Sequence, residues 1–289
     1  MIARLRRWGE LVTFSHTIFA LPFAASAVVL ALREPHVPLT PLRALAMLGC
    51  MVTARTSAMA FNRWADRDVD ARNPRTKGRP VPSGRTSAGE ALALALGSAG
   101  AFWALAATLG LWPTILAPLV IVVLLGYTFA KRFTWAAHAW LGLALAFAPG
   151  GAWIAAGARP NLGIVILMVG IVTWLFGFDV LYALQDEGFD REQGLRSAVV
   201  RLGERRAILL AKALHGITIP ALALFGWGAG FGPWYFVGLC VAAGILVYEH
   251  RLVRPGDLSR LGAAFFTMNG VMSVTVFAFA LLDRVVGRG

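Results

Sequence analysis

Nine stretches of this chain, each apolar and long enough to cross a bilayer as a helix, leave few folds open to it. They run roughly 11–32, 40–62, 88–110, 112–130, 135–157, 162–184, 206–228, 233–249 and 262–283. A helical span needs about 20 mainly apolar residues. In lipid the backbone must satisfy its own hydrogen bonds, which leaves helices or closed barrels. Only 15% of the 289 residues are charged, 58% are hydrophobic and the mean hydropathy is +0.67. The chain therefore reads as an all-α integral membrane protein of nine transmembrane helices. The closest cut is at Gly110 and Pro113, where two spans are separated by almost no loop. Its longest loops, about twenty-five residues, leave no room for a soluble domain, so residues 1–289 are read as a single membrane domain.

A net charge of +12 suggests nucleic acid only until the charges are placed. With the N-terminus in the cytoplasm, twenty Lys and Arg residues fall on the cytoplasmic side: Arg4, Arg6, Arg7, then Arg63 to Arg85, Lys131 and Arg132, Arg191 to Arg206, and Arg251, Arg254 and Arg260. Only Arg33, Arg43, Arg159, Arg284 and Arg288 fall on the other side, while Arg55 and Lys212 lie within spans. That asymmetry over alternating loops is the positive-inside signature of a multi-pass protein in the cell (inner) membrane, not of a nucleic-acid binder. The first apolar stretch, about 22 residues, exceeds a signal-peptide core and reads as a retained helix. Cys50 and Cys240 lie inside spans without motif spacing, so neither a disulfide nor a metal is expected of them.

Six of the eight aspartates sit in two short clusters at the ends of spans two and six. An uncompensated Asp at the bilayer centre costs about 2.5–3.5 kcal/mol on insertion scales, so acids this concentrated need a cation or a wet cavity. Asn62, Asp66 and Asp70 are four apart, one stripe on a continuing helix, with Asp68 pointing away. Asp186 and Asp190 repeat the spacing, preceded by Tyr182 and Asp179 on the same face. Both clusters belong to loops on the cytoplasmic side. Asn73-Pro74 ends or turns the first helix, and the following Arg75, Lys77 and Arg79 make a basic loop beside the carboxylates.

Carboxylates flanked by cations suit Mg²⁺ carrying a phosphorylated substrate, because Mg²⁺ takes one or two carboxylates and completes its shell with phosphate oxygens. Lys and Arg then hold the remaining phosphate charge. Two acidic stripes facing one another would take two Mg²⁺ bridged by a diphosphate, and in a membrane the natural carrier is a lipid diphosphate with a long apolar tail. No P-loop, His-Glu-x-x-His or Gly-x-Ser-x-Gly is present. His16, His36, His138, His215 and His250 are scattered and read as structural.

The segment AFNRWADRDVDARNPRTKGRPVPSG resembles the first Asn-x₃-Asp-x₃-Asp signature of the UbiA-type intramembrane prenyltransferases. YALQDEGFDREQGLRSAVVRLG is similar to their second Asp-x₃-Asp motif, and YTFAKRFTWAAHAWLG to the Tyr-x₃-Lys-Arg segment after their fourth helix. The resemblance covers nearly the whole chain, and the pairing of both motifs is far more specific than either alone. It implies nine helices around a central cavity open to lipid. It also implies transfer of a polyprenyl group from polyprenyl diphosphate to an aromatic carboxylic acid in ubiquinone or menaquinone biosynthesis. Within the family the chain looks most like the 4-hydroxybenzoate polyprenyltransferases, and more narrowly the futalosine-route menaquinone branch, whose acceptor is 1,4-dihydroxy-6-naphthoate. One departure is Arg63, where many members carry Asp.

On this reading Asp66, Asp70, Asp186 and Asp190, helped by Asn62, hold two Mg²⁺ on the diphosphate. Lys131, Arg75 and Arg79 clamp its oxygens, and Tyr182 and Asp179 support the site from behind. Arg55, a cation on the first cluster's own face and deeper in span two, is the candidate anchor for the acceptor carboxylate. The alternative class is an ion-coupled secondary transporter with membrane-embedded acids. It needs acids near helix centres, whereas these lie at span ends among arginines.

Overall fold

A computed structural model of the chain describes residues 9, 21–32, 37, 39–253, 255–258, 261 and 268–286. Residues 11–20 of the first expected span and 262–267 of the ninth lie outside the described residues. So do Arg4, Arg6, Arg7, Arg33, Arg254, Arg260 and Arg288, with His16 and His36. The helices are α1 (Leu21–Ala31), α2 (Pro41–Ala65), α3 (Arg67–Arg72), α4 (Ala88–Leu109), α5 (Leu111–Phe133) and α6 (Ala137–Ala156). After them come α7 (Leu162–Ala183), α8 (Glu187–Glu192), α9 (Ala198–Leu202), α10 (Glu204–Gly228), α11 (Pro233–Leu252) and α12 (Asn269–Val286). Eight of these are long and apolar enough to cross a membrane, and the shorter apolar α1 stands where the first span is expected. Large side chains such as Leu42, Leu45, Leu111, Leu162 and Trp227 are largely exposed along these helices, as a surface solvated by lipid allows.

The helix ends follow local chemistry. Thr40 caps α2 by accepting the Arg43 N–H at 3.1 Å, with Pro41 at the first helical position, where its missing donor costs nothing. Ser87 accepts the Glu90 N–H at 3.1 Å to open α4, and Asn161 accepts the Ile164 N–H at 3.0 Å to open α7. Gly110, at φ 128, makes the near-loopless break between α4 and α5. Asp283 of α12 accepts the N–H groups of Gly232 (2.8 Å) and Tyr235 (3.3 Å), capping α11 from another element.

The described helices form two compact units. The first spans Leu39–Phe129, where α2 packs along α4. A small core of Ala60, Val81, Ala91 and Ala95 ties the loop after α3 to those helices. The second unit runs from Ala130 onward and includes α1. There α7 is central, packed on α6 and α10, with α11 on α12 and α1 on α6. Close approach depends on glycine: a Cβ on Gly142 of α6 would lie 2.8 Å from the Val172 carbonyl oxygen of α7. A cluster including Leu181, Leu184, Val199, Ile208 and Val253 anchors the end of α7 and the segment beyond it. Each acidic motif is thus mounted on the end of a span, one in each unit.

Candidate active site

Neither motif lies on one unbroken helix. α2 stops at Ala65 and α3 starts at Arg67, with Asp66 between them at φ −95 and ψ 6. α7 stops at Ala183, a 3₁₀ turn covers Leu184–Asp186, and α8 starts at Glu187, with Asp186 at φ −105 and ψ 4. These angles fall in the sparsely populated bridge region, where active-site residues recur. The same interruption sits at the first aspartate of each Asp-x₃-Asp. The four-residue register survives it in the first motif, since the Asp66 N–H bonds the Asn62 carbonyl at 2.9 Å and the Asp70 N–H bonds the Asp66 carbonyl at 2.7 Å.

In the first unit the Asn62 amide donates to the Asp66 carboxylate at 2.8 Å. Asp70 is buried, its side chain 8% exposed, whereas the Asp68 side chain is 77% exposed. Nη1 of Arg79 sits between both carboxylate oxygens of Asp70, at 2.7 and 2.8 Å. The loop that delivers Arg79 is folded on itself. Thr76 donates from its hydroxyl to the Asp70 carbonyl (3.1 Å), Asn73 accepts the Arg75 N–H on its side chain (2.9 Å), and the Thr86 N–H bonds the Pro80 carbonyl (3.0 Å). The loop from Asn73 to Thr86 is therefore the scaffold that aims Arg79. Arg75 itself is exposed on that loop.

Two neighbours of this set, Arg63 and Tyr127, were given no site role by the sequence. Arg63 is buried, 7% exposed, and donates from Nη1 to the Asn62 side-chain oxygen at 3.1 Å. Its charge is felt among Arg79, Asp70, Tyr127 and Asp66. The oxygen through which Asn62 would ligate a metal is thus taken by Arg63, and its amide faces Asp66. Arg55, half-buried deeper in α2, interacts electrostatically with Tyr127. Tyr127 opens the Tyr-x₃-Lys-Arg segment that resembles the family's, but the sequence assigns it no role of its own.

In the second unit Asp190, 2% exposed, accepts from Nζ of Lys131 at 2.9 Å. Lys131 lies in the last turn of α5, and the charges of Asp190, Asp179 and Asp186 all act on it. Asp179 bonds Nδ1 of the fully buried His138 at 2.6 Å. Tyr182 lies half-buried one turn after Asp179. The backbone beyond α8 closes on the same pair: the Leu195 N–H bonds the Asp190 carbonyl (2.8 Å) and the Arg196 N–H bonds the Lys131 carbonyl (2.6 Å). Ser197 caps α9 by accepting the Val200 N–H at 3.2 Å. His138 escaped notice because a lone His forty-one residues from its Asp has no spacing to betray it.

Each unit thus carries the same arrangement, an interrupted Asp-x₃-Asp whose buried second carboxylate accepts from a cation. Among the described residues no group of three or more His, Cys, Asp or Glu is arranged to hold a metal by itself. Hard oxygen donors that form no cage fit a metal completed by substrate oxygens, which is how Mg²⁺ binds.

The UbiA prenyltransferase family profile matches residues 20–271. The chain is similar to the 4-hydroxybenzoate octaprenyltransferase of Azoarcus sp. strain BH72, 33% identical over 242 residues, 82% of each chain. It is likewise similar to the 4-hydroxybenzoate octaprenyltransferase of Paraburkholderia phymatum, 30% identical over 269 residues, 92% of each. Among solved structures, a UbiA homolog from Aeropyrum pernix K1 superposes with a TM-score of 0.83 at 30% identity, covering 93% of this chain and 98% of that one. A UbiA homolog from Archaeoglobus fulgidus, bound to GPP and Mg²⁺, shares the fold at 18% identity with a TM-score of 0.70, over 97% of this chain and 100% of that one.

Proposed function

Since the chain belongs to the UbiA prenyltransferase family, we propose that it transfers a polyprenyl group from polyprenyl diphosphate to an aromatic carboxylic acid, with Mg²⁺. The acceptor is 4-hydroxybenzoate or 1,4-dihydroxy-6-naphthoate, and the product a ubiquinone or menaquinone precursor. The observation that carries this reading is the repeated half-site, with Asp70 on Arg79 and Asp190 on Lys131. Residues 1–289 work as a single catalytic domain, a reading supported by the family match over residues 20–271. Charge asymmetry of the loops supports a place in the cell (inner) membrane, with the N-terminus and both motifs on the cytoplasmic side.

Asp66, Asp70, Asp186 and Asp190 would hold Mg²⁺, helped by Asn62 once Arg63 yields its amide oxygen. Bound Mg²⁺ supplies positive charge where the departing diphosphate develops its negative charge. Arg79 and Lys131, released from their carboxylates, donate to diphosphate oxygens, joined by Arg75 from the loop. The bond between the allylic carbon and the diphosphate oxygen breaks, and its electron pair leaves with the diphosphate. The ring carbon beside the acceptor's phenol hydroxyl attacks the allylic cation, and loss of the ring proton restores aromaticity. Arg55 holds the acceptor carboxylate, while Asp179 and Tyr182 support the second motif from behind.

Purified protein in detergent, given octaprenyl diphosphate, Mg²⁺ and each acceptor separately, tests the reading by mass spectrometry of the product. The expected product is the acceptor bearing one prenyl chain on a ring carbon. No prenylated product from either acid would refute the assignment.

A further inference from the structure

Beside the Lys131–Asp190 pair, on the second unit, lies a cavity of about 620 Å³ between the turn after α5 and the segment linking α8 to α9. Three arginines line it, Arg191, Arg196 and Arg201, together with Thr134, Ser197 and the ring of Trp135. Glu187 answers one of those charges, accepting from Arg191 at 2.7 Å. Arg196 spends one nitrogen on the Phe133 carbonyl at 2.8 Å, and its planar group keeps further donors. Arg201 stacks 5.0 Å from the centroid of Trp135, a contact that orients a guanidinium without neutralising it. The wall is therefore built to receive an anion.

Its place in the fold says which anion. Phe133 is the last residue of the spanning helix α5 and is 52% exposed, and Trp135 in the next turn is 38% exposed. Exposed aromatic rings at a span end mark the plane where hydrocarbon meets headgroups, and basic cavities at that level suit anionic lipid headgroups. None of the four motif aspartates lines the cavity, so a diphosphate arriving with Mg²⁺ finds no carboxylate there. We infer that this cavity binds the phosphate of an anionic phospholipid from the surrounding bilayer, a site separate from the diphosphate half-sites. The lipid's effect reaches those half-sites through the backbone: the cavity's Leu195 and Arg196 are the residues whose N–H groups bond the carbonyls of Asp190 and Lys131. A headgroup seated on Arg196 and Arg201 steadies the segment that holds that ion pair.

The experiment is thermal unfolding of the detergent-purified full chain, titrated with dioleoyl phosphatidylglycerol or dioleoyl phosphatidylcholine, for wild type, R201Q and R196Q/R201Q. Native mass spectrometry counts retained lipid in parallel. Phosphatidylglycerol is expected to raise Tm of the wild type and phosphatidylcholine to leave it unchanged. R201Q should bind phosphatidylglycerol about ten- to a hundredfold more weakly, as loss of a hydrogen bond to a charged group predicts, while basal turnover without added lipid stays as in wild type. Equal phosphatidylglycerol binding by wild type and R201Q overturns the proposal, and R201Q alone decides it if the double variant does not fold. Inorganic phosphate stabilising the wild type as well as phosphatidylglycerol does, and displacing it, assigns the cavity to free phosphate and overturns the lipid. Displacement by inorganic diphosphate only when Mg²⁺ is present assigns it to the substrate and overturns it equally.

Discussion

Replacing Arg79 by Met tests the half-site where its energetics are most exposed. The Asp70 side chain is 8% exposed and its two oxygens share one Arg79 nitrogen, while Arg79 itself is 28% exposed. Removing one partner of a fully buried pair costs about 3–5 kcal/mol because the other charge stays buried. Solvent reaches Arg79, which lowers the expected loss for Arg79→Met to about 2–3 kcal/mol. Asp70→Asn leaves the arginine free to turn toward water and should cost about 1 kcal/mol. The double variant should resemble Asp70→Asn, about 2–3 kcal/mol more stable than additivity requires. Equilibrium unfolding in mixed detergent micelles measures all four proteins. Mg²⁺ should recover more stability in Arg79→Met than in wild type, since it can take the place of the lost cation. Additive losses, with Asp70→Asn as damaging as Arg79→Met, would show that the pair does not hold the loop.

Asp66→Ala, Asp70→Ala, Asp186→Ala and Asp190→Ala should each lower turnover by orders of magnitude, while the exposed Asp68→Ala leaves it near wild type in the same assay. Arg55→Ala should raise the KM for the aromatic acid about ten- to a hundredfold, the loss of a charge-assisted hydrogen bond, and leave that for the prenyl diphosphate nearly unchanged. Asp283→Ala should cost about 1–2 kcal/mol of stability by stripping α11 of its cap, with turnover per folded molecule unaffected.

The spans were legible because a bilayer imposes one length and one polarity on every crossing: expected 88–110 is found as Ala88–Leu109, and 162–184 as Leu162–Ala183. The four-residue spacing also separated buried Asp70 from exposed Asp68. What the spacing did not contain was the interruption at Asp66 and Asp186, because an i to i+4 pattern is the same on a straight helix and on two short ones joined at a bridge-region residue. Arg63 read as a departure from a pattern, yet it is buried against Asn62. His138 and Asp179 meet only because α6 and α7 pack side by side. Partners of that kind are made by tertiary structure and leave no mark on local sequence.

Under the proposed function, donor binding requires Mg²⁺ and carboxylates of both acidic motifs. Calorimetric binding of a polyprenyl thiodiphosphate, which mimics the donor but resists ionisation, measures it most directly. One analogue should bind per chain with Mg²⁺ present and none in EDTA, and Asp70→Ala and Asp190→Ala should each abolish binding although they lie in different motifs. Undiminished binding in EDTA, or in either variant, would show that the donor binds without the metal or without that motif.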